Sequence, residues 1–303
     1  MINIDRTVNI LSIGVSGKNQ NISALLSLIE QENRESDDLI LLPEMCLGYG
    51  IITMNDEAVI KMCETAGRKK VYIVFTVFRY GDSGETYNTS MLIDRSGNIA
   101  GVYDKAYPFW GEGFRDPPCL PGKDVPVFET DFGRIGISNC FDVNFPDVYK
   151  RLSDSGAELV LYPSGYSAGM SLQAHAINHN YYIISSTLIP DCVMYDITGR
   201  EIYYQKGANG VNISRLTVDL DRSIYHLDFN IDKRDKLLAD HSGEIEQDTF
   251  LKREGWFTLR ALKPGVSVKT LADEYELEEL AHYKKRSGEE LDKLRGFSLR
   301  SLL

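Results

Sequence analysis

The segment RIGISNCFDVNFPDVYKRLSDSGAELVLYPS, residues 134–164, carries a core strand, a turn bearing a cysteine, a helix and a second core strand. Residues 134–138 are apolar enough for a buried strand, which stops at Asn139 and Cys140. Pro146 suits the first turn of a helix, Asp147 favours its N-terminal end, and Gly156 marks its close. Residues 157–164 then return as a strand.

The same alternation extends in both directions. Toward the N-terminus, VNILSIGV (8–15) reads as a buried strand, and Ile22, Leu25, Leu26 and Ile29 give 21–32 a helical face. LILLP (39–43) is a short strand, 56–67 a helix and 71–78 a strand. Residues 87–105 form a hairpin turned by Ser96, Gly97 and Asn98, before a loop rich in Pro and Gly over 108–123. Toward the C-terminus come a helix at 171–181, a strand at 181–189, a hairpin at 192–205 and a strand at 216–221. Strands that alternate with helices, some paired as hairpins, predict α/β layers with mixed sheets rather than a purely parallel sheet.

From about Ile231 the composition turns charged and helix-prone. Val268, Leu271, Ala272 and Tyr275 share one helical face, and Gly288 predicts a break. The expected organisation is therefore a main domain over 1–231 and a helical C-terminal extension over 232–303.

Composition narrows the function classes. With 303 residues, 43% of them hydrophobic, the chain can bury one large core or two modest ones. A formal charge of −11 argues against nucleic acid as the main partner, because that binding rests on Lys and Arg displacing counterions. Cys46, Cys63, Cys119, Cys140 and Cys192 are odd in number, widely spaced and without a CxxC pair. That pattern suits neither a disulfide framework nor a zinc site and predicts a reducing, cytoplasmic setting. No stretch approaches the eighteen or so apolar residues of a membrane helix, and no targeting segment is expected.

A binding protein is the reading from another class, since VKTLADEYELEELAHYKKRS superficially suggests a helix-turn-helix. Asp273, Glu274, Glu276, Glu278 and Glu279 precede its basic cluster, the wrong charge for a second helix that reads DNA. His175 and His179 stand at i and i+4, a spacing that zinc can use, but AHAINHN lacks the HExxH glutamate and offers no third ligand. No metal and no organic cofactor are expected.

Four residues carry the chemistry. Cys140 sits at a strand-to-helix turn, where exposure and the following helix favour a thiolate. Glu44 ends the apolar strand LILLP, and Lys105 ends the strand VYDK, ahead of a loop carrying Glu112 in WGEG. Singly, a cysteine is as well explained by burial and a Lys or Glu by solvation. As a set they have a joint use: a Lys ammonium favours the thiolate, and a desolvated carboxylate accepts or returns a proton.

LLPEMCLGYG (41–50), YDKAYPFWGEGF (103–114) and ISNCFDVNFPDVY (137–149) together resemble the three signature segments of the nitrilase superfamily, its amidase-like branch in particular. The resemblance runs from residue 8 to about 221. It implies a four-layer α-β-β-α sandwich and hydrolysis of non-peptide carbon–nitrogen bonds through a Cys thioester. Residue by residue it implies Cys140 as nucleophile, Glu44 as general base, Lys105 as oxyanion-stabilising cation and Glu112 as a second glutamate orienting Lys105. The spacing from Lys105 to Glu112 is one residue shorter than in the aliphatic amidases.

The backbone N–H of Phe141 is a second candidate for the oxyanion, and Trp110, with Phe114, for the pocket mouth. Asp142 and Asn144 fit the amidase-like CxDxN pattern rather than the CWE of nitrilases, and either side chain suits a cap for the helix at Pro146. AHAINHN departs from the superfamily's ARA-x-EN at its Arg and Glu positions, which affects substrate contacts rather than the triad. The expected partner is a small-molecule amide, with N-carbamoyl compounds, nitriles or acyl transfer as alternatives. A homo-oligomer, dimer or higher, is implied, with the C-terminal extension at its interface.

Overall fold

The computed structural model describes residues 6–298. Val8–Val218 forms one unit, and Arg6 and Thr7 with the residues from Asp219 onward form another.

Two mixed sheets make up the first unit. One contains β1 (Thr7–Val15), β2 (Leu39–Leu41), β3 (Ile51–Ile52), β4 (Tyr72–Tyr80), β5 (Thr86–Ile93), β6 (Ile99–Asp104) and the later strand β13 (Val211–Asp219). The other contains β7 (Val127–Glu129), β8 (Arg134–Ile137), β9 (Leu159–Ser164), β10 (Tyr182–Thr187), β11 (Asp191–Tyr195) and β12 (Glu201–Lys206). Their orders are β13-β1-β2-β4-β5-β6, with β3 beside β4, and β12-β11-β10-β9-β8-β7. Each sheet has a parallel centre, β1-β2-β4 and β8-β9-β10, and continues in antiparallel strands.

Parallel neighbours require crossovers, and four helices supply them. These are α1 (Ile22–Glu32), α2 (Glu57–Lys69), α3 (Pro146–Asp154) and α4 (Gly169–His179). Asn21 caps α1 by accepting from the Ala24 N–H at 3.0 Å, and Asp56 caps α2 by accepting from the Ala58 N–H at 2.9 Å. Leu25 and Ile29 of α1 and Val59 and Met62 of α2 are buried against the first sheet, while Val148, Leu152 and Leu172 of α3 and α4 are buried against the second. Each such side chain contributes roughly 1.5–3 kcal/mol of burial.

The sheets meet on faces of a different kind. Ser12 Oγ of β1 donates to the Ser185 carbonyl at 2.8 Å, and Ser186 Oγ of β10 donates to the Ile13 carbonyl at 2.9 Å. Small hydroxyl residues let the two backbones approach closely while satisfying their own polar atoms. The result is the expected α-β-β-α sandwich, with apolar cores between helices and sheets. The strands β3 and β7 are additions to the expected elements, both too short to leave a pattern in the sequence.

In the second unit, β14 (Ser223–His226), β16 (Trp256–Ala261) and β15 (Ile245–Leu251) form an antiparallel sheet in that order. The helices α5 (Ile231–Asp240), α6 (Val268–Glu274) and α7 (Leu280–Arg295) accompany it. Its core includes Tyr225, Leu237, Phe257, Leu259, Val268 and Ala272, with Leu271 and Tyr275 packed against it. Residues 232–303, expected as a helical extension, thus hold two strands besides their helices. The division falls at 218/219 rather than 231/232 because β14 pairs with β16 and joins the later segment. Helix α7 also continues through Gly288, where a break was expected, since one Gly costs only about 1 kcal/mol inside a helix.

Candidate active site

Three strand ends and one 3-10 turn of the first unit bring the predicted residues together. Glu44 follows β2, where Leu42 and Cys46 still donate backbone bonds to Val74 and Thr76 of β4. Met45, at a φ of 47°, then turns the chain away. Lys105 follows β6, its backbone N–H donating to the Asn88 carbonyl of β5 at 2.8 Å. Glu112 sits in a short 3-10 turn, Trp110–Phe114, and accepts from the Phe109 N–H at 2.6 Å. Cys140 opens a second 3-10 turn, Cys140–Asn144, immediately after β8.

Lys105 is shared between two carboxylates. Its Nζ donates to Glu44 Oε1 at 2.7 Å and to Glu112 Oε2 at 3.0 Å. All three side chains are buried, Lys105 and Glu44 to within 1% of full occlusion. Burial alone would discharge the lysine, but the Glu44 and Glu112 carboxylates hold its ammonium above the ordinary value. Glu112, spaced one residue short, nevertheless reaches Lys105.

Cys140 adopts a φ of 49°, a left-handed conformation costing an L-residue on the order of 1–2 kcal/mol. Its surroundings hold it there. Tyr162 OH donates to the Cys140 carbonyl at 2.9 Å. Beneath the turn, Asp142 accepts from the Asn139 N–H at 2.8 Å, the Tyr107 N–H at 2.9 Å and Tyr103 OH at 2.6 Å. Burial pushes the Asp142 carboxyl up to about 6, against these donors and Lys105. Asp142 was expected to cap the helix at Pro146; instead it caps the turn that presents Cys140, and α3 starts without a side-chain cap at Phe145.

The resting state of Cys140 departs from expectation. Burial and the adjacent Glu44 carboxylate push the thiol up to about 12, while Lys105 and the Gly165 N–H oppose them. A third negative charge beside Glu44 and Glu112, with Lys105 between them, would be poorly balanced. Burial and the neighbouring carboxylate thus favour the neutral thiol of Cys140 over the thiolate. The sequence weighed only the lysine and the helix terminus.

The remaining candidates occupy different positions. Phe141 follows Cys140, its ring edge-on to Phe109 and Phe145 at 5.6 Å each. Trp110 is 74% exposed and meets Phe114 at 4.7 Å. His175 stacks on Tyr149 at 3.6 Å, and its Nε2 lies 2.9 Å from the Val143 carbonyl, so it packs the core beneath the cysteine turn. Among the described residues no group of three His, Cys, Asp or Glu side chains could hold a metal.

Sequence reasoning missed Asn88, Asn139 and Gly165. Asn88 Nδ2 donates to Glu44 Oε1 at 2.9 Å and to Glu112 Oε1 at 2.6 Å, and Asn139 Nδ2 donates to Asn88 Oδ1 at 2.9 Å. A Cβ at Gly165 would lie 3.3 Å from Glu44 Oε2 and 3.9 Å from Cys140 Sγ, so glycine leaves room for both. The available signal was an Asn in the interior of YNTSMLID, a polar residue poorly suited to a core strand.

Known proteins supply the comparison. The profile of the carbon-nitrogen hydrolase family matches residues 9–222. A deaminated glutathione amidase of Synechocystis sp. is 30% identical over 192 residues, 55% of this chain and 71% of the relative. A citrullinase of Francisella tularensis is 28% identical over 159 residues, 48% of this chain and 56% of the relative. Among solved structures, a branch 10 member of the nitrilase superfamily from Saccharomyces cerevisiae superposes with a TM-score of 0.62 at 17% identity, covering 71% of this chain and 91% of that one. A mutant of the amidase from Nesterenkonia sp. gives 0.60 at 20% identity, covering 72% and 92%, and carries the acetamide moiety of fluoroacetamide on its active-site cysteine.

Proposed function

The chain belongs to the carbon-nitrogen hydrolase family; from that premise we propose that it is a cysteine-dependent amidohydrolase that cleaves a small-molecule amide through a thioester on Cys140. The observation that carries the assignment is one buried lysine bonded to two glutamates, with the Glu44 carboxylate against the Cys140 sulfur.

In this reading Glu44 takes the thiol proton through Oε2, the oxygen that Lys105 and Asn88 leave free, as Sγ bonds to the amide carbon. Charge developing on the amide oxygen meets the Lys105 ammonium and the Phe141 N–H. Glu44 returns its proton to the departing ammonia or amine, leaving the thioester. It then removes a proton from water, whose oxygen displaces the sulfur as the thiol re-forms. Glu112 keeps Lys105 charged and aimed.

The absence of CWE after the β8 strand supports amides over nitriles, and the citrullinase relative makes ureido compounds the second class. N-carbamoyl hydrolysis, nitrile hydrolysis and acyl transfer to an amine all use the same triad. Ammonia release across short amides, ureido acids and nitriles, with mass spectrometry of the acyl adduct, tests the proposal. Amides should turn over well above nitriles, with the adduct on the peptide containing Cys140. A chain active on nitriles alone would reverse the ranking.

Five free cysteines support a reducing, cytoplasmic setting, which fractionation of the native source would check. A homo-oligomer is part of the same reading, and a monomeric mass in sedimentation would reject it.

A further inference from the structure

We infer that Asn88 is a positioning residue of this site, the side chain that together with Lys105 commits one oxygen of Glu44 and leaves the other for Cys140. The inference rests on the triad proposed above. Asn88 is fully buried on β5 and joins every catalytic segment. Its Nδ2 holds Glu44 and Glu112, its Oδ1 accepts from Asn139 next to the nucleophile, and its backbone carbonyl accepts from Lys105.

Charge dictates the direction of this chain of amides. Two carboxylates can only accept, so Asn88 must turn its nitrogen to them and spend one N–H on each. Its oxygen then demands a donor, and Asn139 must supply its own nitrogen. The cost is visible at the far end, where Asn139 Oδ1 is buried without a hydrogen-bond partner among the described residues. Such an orphan costs roughly 1–3 kcal/mol, a loss tolerated only if the opposite orientation is worse. Reversing Asn88 would point its oxygen at two anions.

The consequence falls on Glu44. Oε1 receives both Lys105 and Asn88, which leaves Oε2, on the side of Gly165 that Cys140 also borders, uncommitted. Lys105 alone would leave the carboxyl free to rotate about that one bond. Asn88 supplies the second anchor on the same oxygen and also donates to the ionised forms of both glutamates, which favours their charge.

The experiment is steady-state kinetics against pH for Asn88→Ala, Asn88→Asp and Asn139→Leu, with Cys140→Ala and circular dichroism as controls. Asn88→Ala should lower kcat on the order of 100-fold, the scale of general-base catalysis, while KM changes by less than about threefold. Loss of the donors should also move the acid limb of kcat/KM to higher pH, furthest in Asn88→Asp, where a third carboxyl joins the pair. Asn139→Leu keeps the volume but removes the donor to Asn88, so it should give a smaller kcat loss in the same direction and serves if the Asn88 variants do not fold. Folded Asn88 or Asn139 variants with an unmoved acid limb and near-normal kcat would overturn the inference alone. Turnover retained by Cys140→Ala would instead overturn the triad beneath it.

Discussion

Two carboxylates, one in each unit, are equally buried and mean different things. Glu44 in the first unit and Asp221 in the second are 1% and 2% exposed. Asp221 is wholly engaged by the start of a helix, accepting from Ser267 Oγ at 2.8 Å and from the backbone N–H groups of Val268 and Lys269 at the N-terminus of α6. Glu44 has one oxygen anchored by Lys105 and Asn88 and the other uncommitted beside Gly165. A buried carboxylate whose two oxygens are both taken by the start of one helix is architecture; one with an oxygen left over has room to exchange a proton.

The largest test of that contrast removes the reacting groups. Cys140→Ala should abolish turnover while stability stays within about 1 kcal/mol, because a half-buried thiol adds little to a core. Glu44→Gln and Lys105→Met should each lower kcat on the order of 1,000-fold or more. The double variant should lose little beyond either, since groups serving one transition state are strongly non-additive. Multiplicative losses would mean that Glu44 and Lys105 act separately.

A smaller effect sharpens the electrostatics. Glu44 raises the Cys140 thiol and Lys105 lowers it, so removing each charge should move alkylation in opposite directions. Thiolate forms as pH rises through the thiol's value, which lies near 12 here. Glu44→Gln removes a repulsive anion and should shift the iodoacetamide profile of Cys140 to lower pH. Lys105→Met removes an attractive cation and should shift it higher, each by about one to three pH units. Shifts of the same sign would show that burial rather than charge sets the thiol.

That Glu44, Lys105 and Cys140 belong together was legible through three ordered segments that resemble those of the nitrilase superfamily, since strand-end position alone decided none of them. The sandwich was legible through the same resemblance, and its α/β layers because apolar strands and helical faces alternate from residue 8 to the closing strand. The thiol's resting state was hidden: which charges surround Cys140 depends on pairs 96 and 35 positions apart in the chain, Cys140 with Glu44 and with Lys105. Asn88 was hidden because its role lies in what it bridges, and YNTSMLID read as a strand without revealing its partners. The sheet of the C-terminal unit escaped because β15, IEQDTFL, mixes charged with apolar residues and lacks a clear alternation.

Asp221 gives the smallest effect and the one that decides whether the opening contrast is real. Ser267 is the N-cap of α6, and if the burial of Asp221 is explained by the donors it satisfies there, Asp221→Ala should cost about 1–3 kcal/mol of stability, the scale for leaving buried donors unpaired, read as a fall in the urea midpoint. Asp221→Asn keeps an acceptor oxygen but gives up the charge beside the helix N-terminus, so it should cost less, roughly 0.3–1 kcal/mol. In both variants kcat and its pH profile should match the parent, because no proton in the proposed reaction passes through Asp221. A urea midpoint left unmoved would deny that these donors explain the burial. A kcat reduced more than about threefold in a fully folded Asp221→Asn would give this carboxylate a part in the chemistry, and complete engagement by the start of a helix would no longer separate architecture from catalysis in this chain.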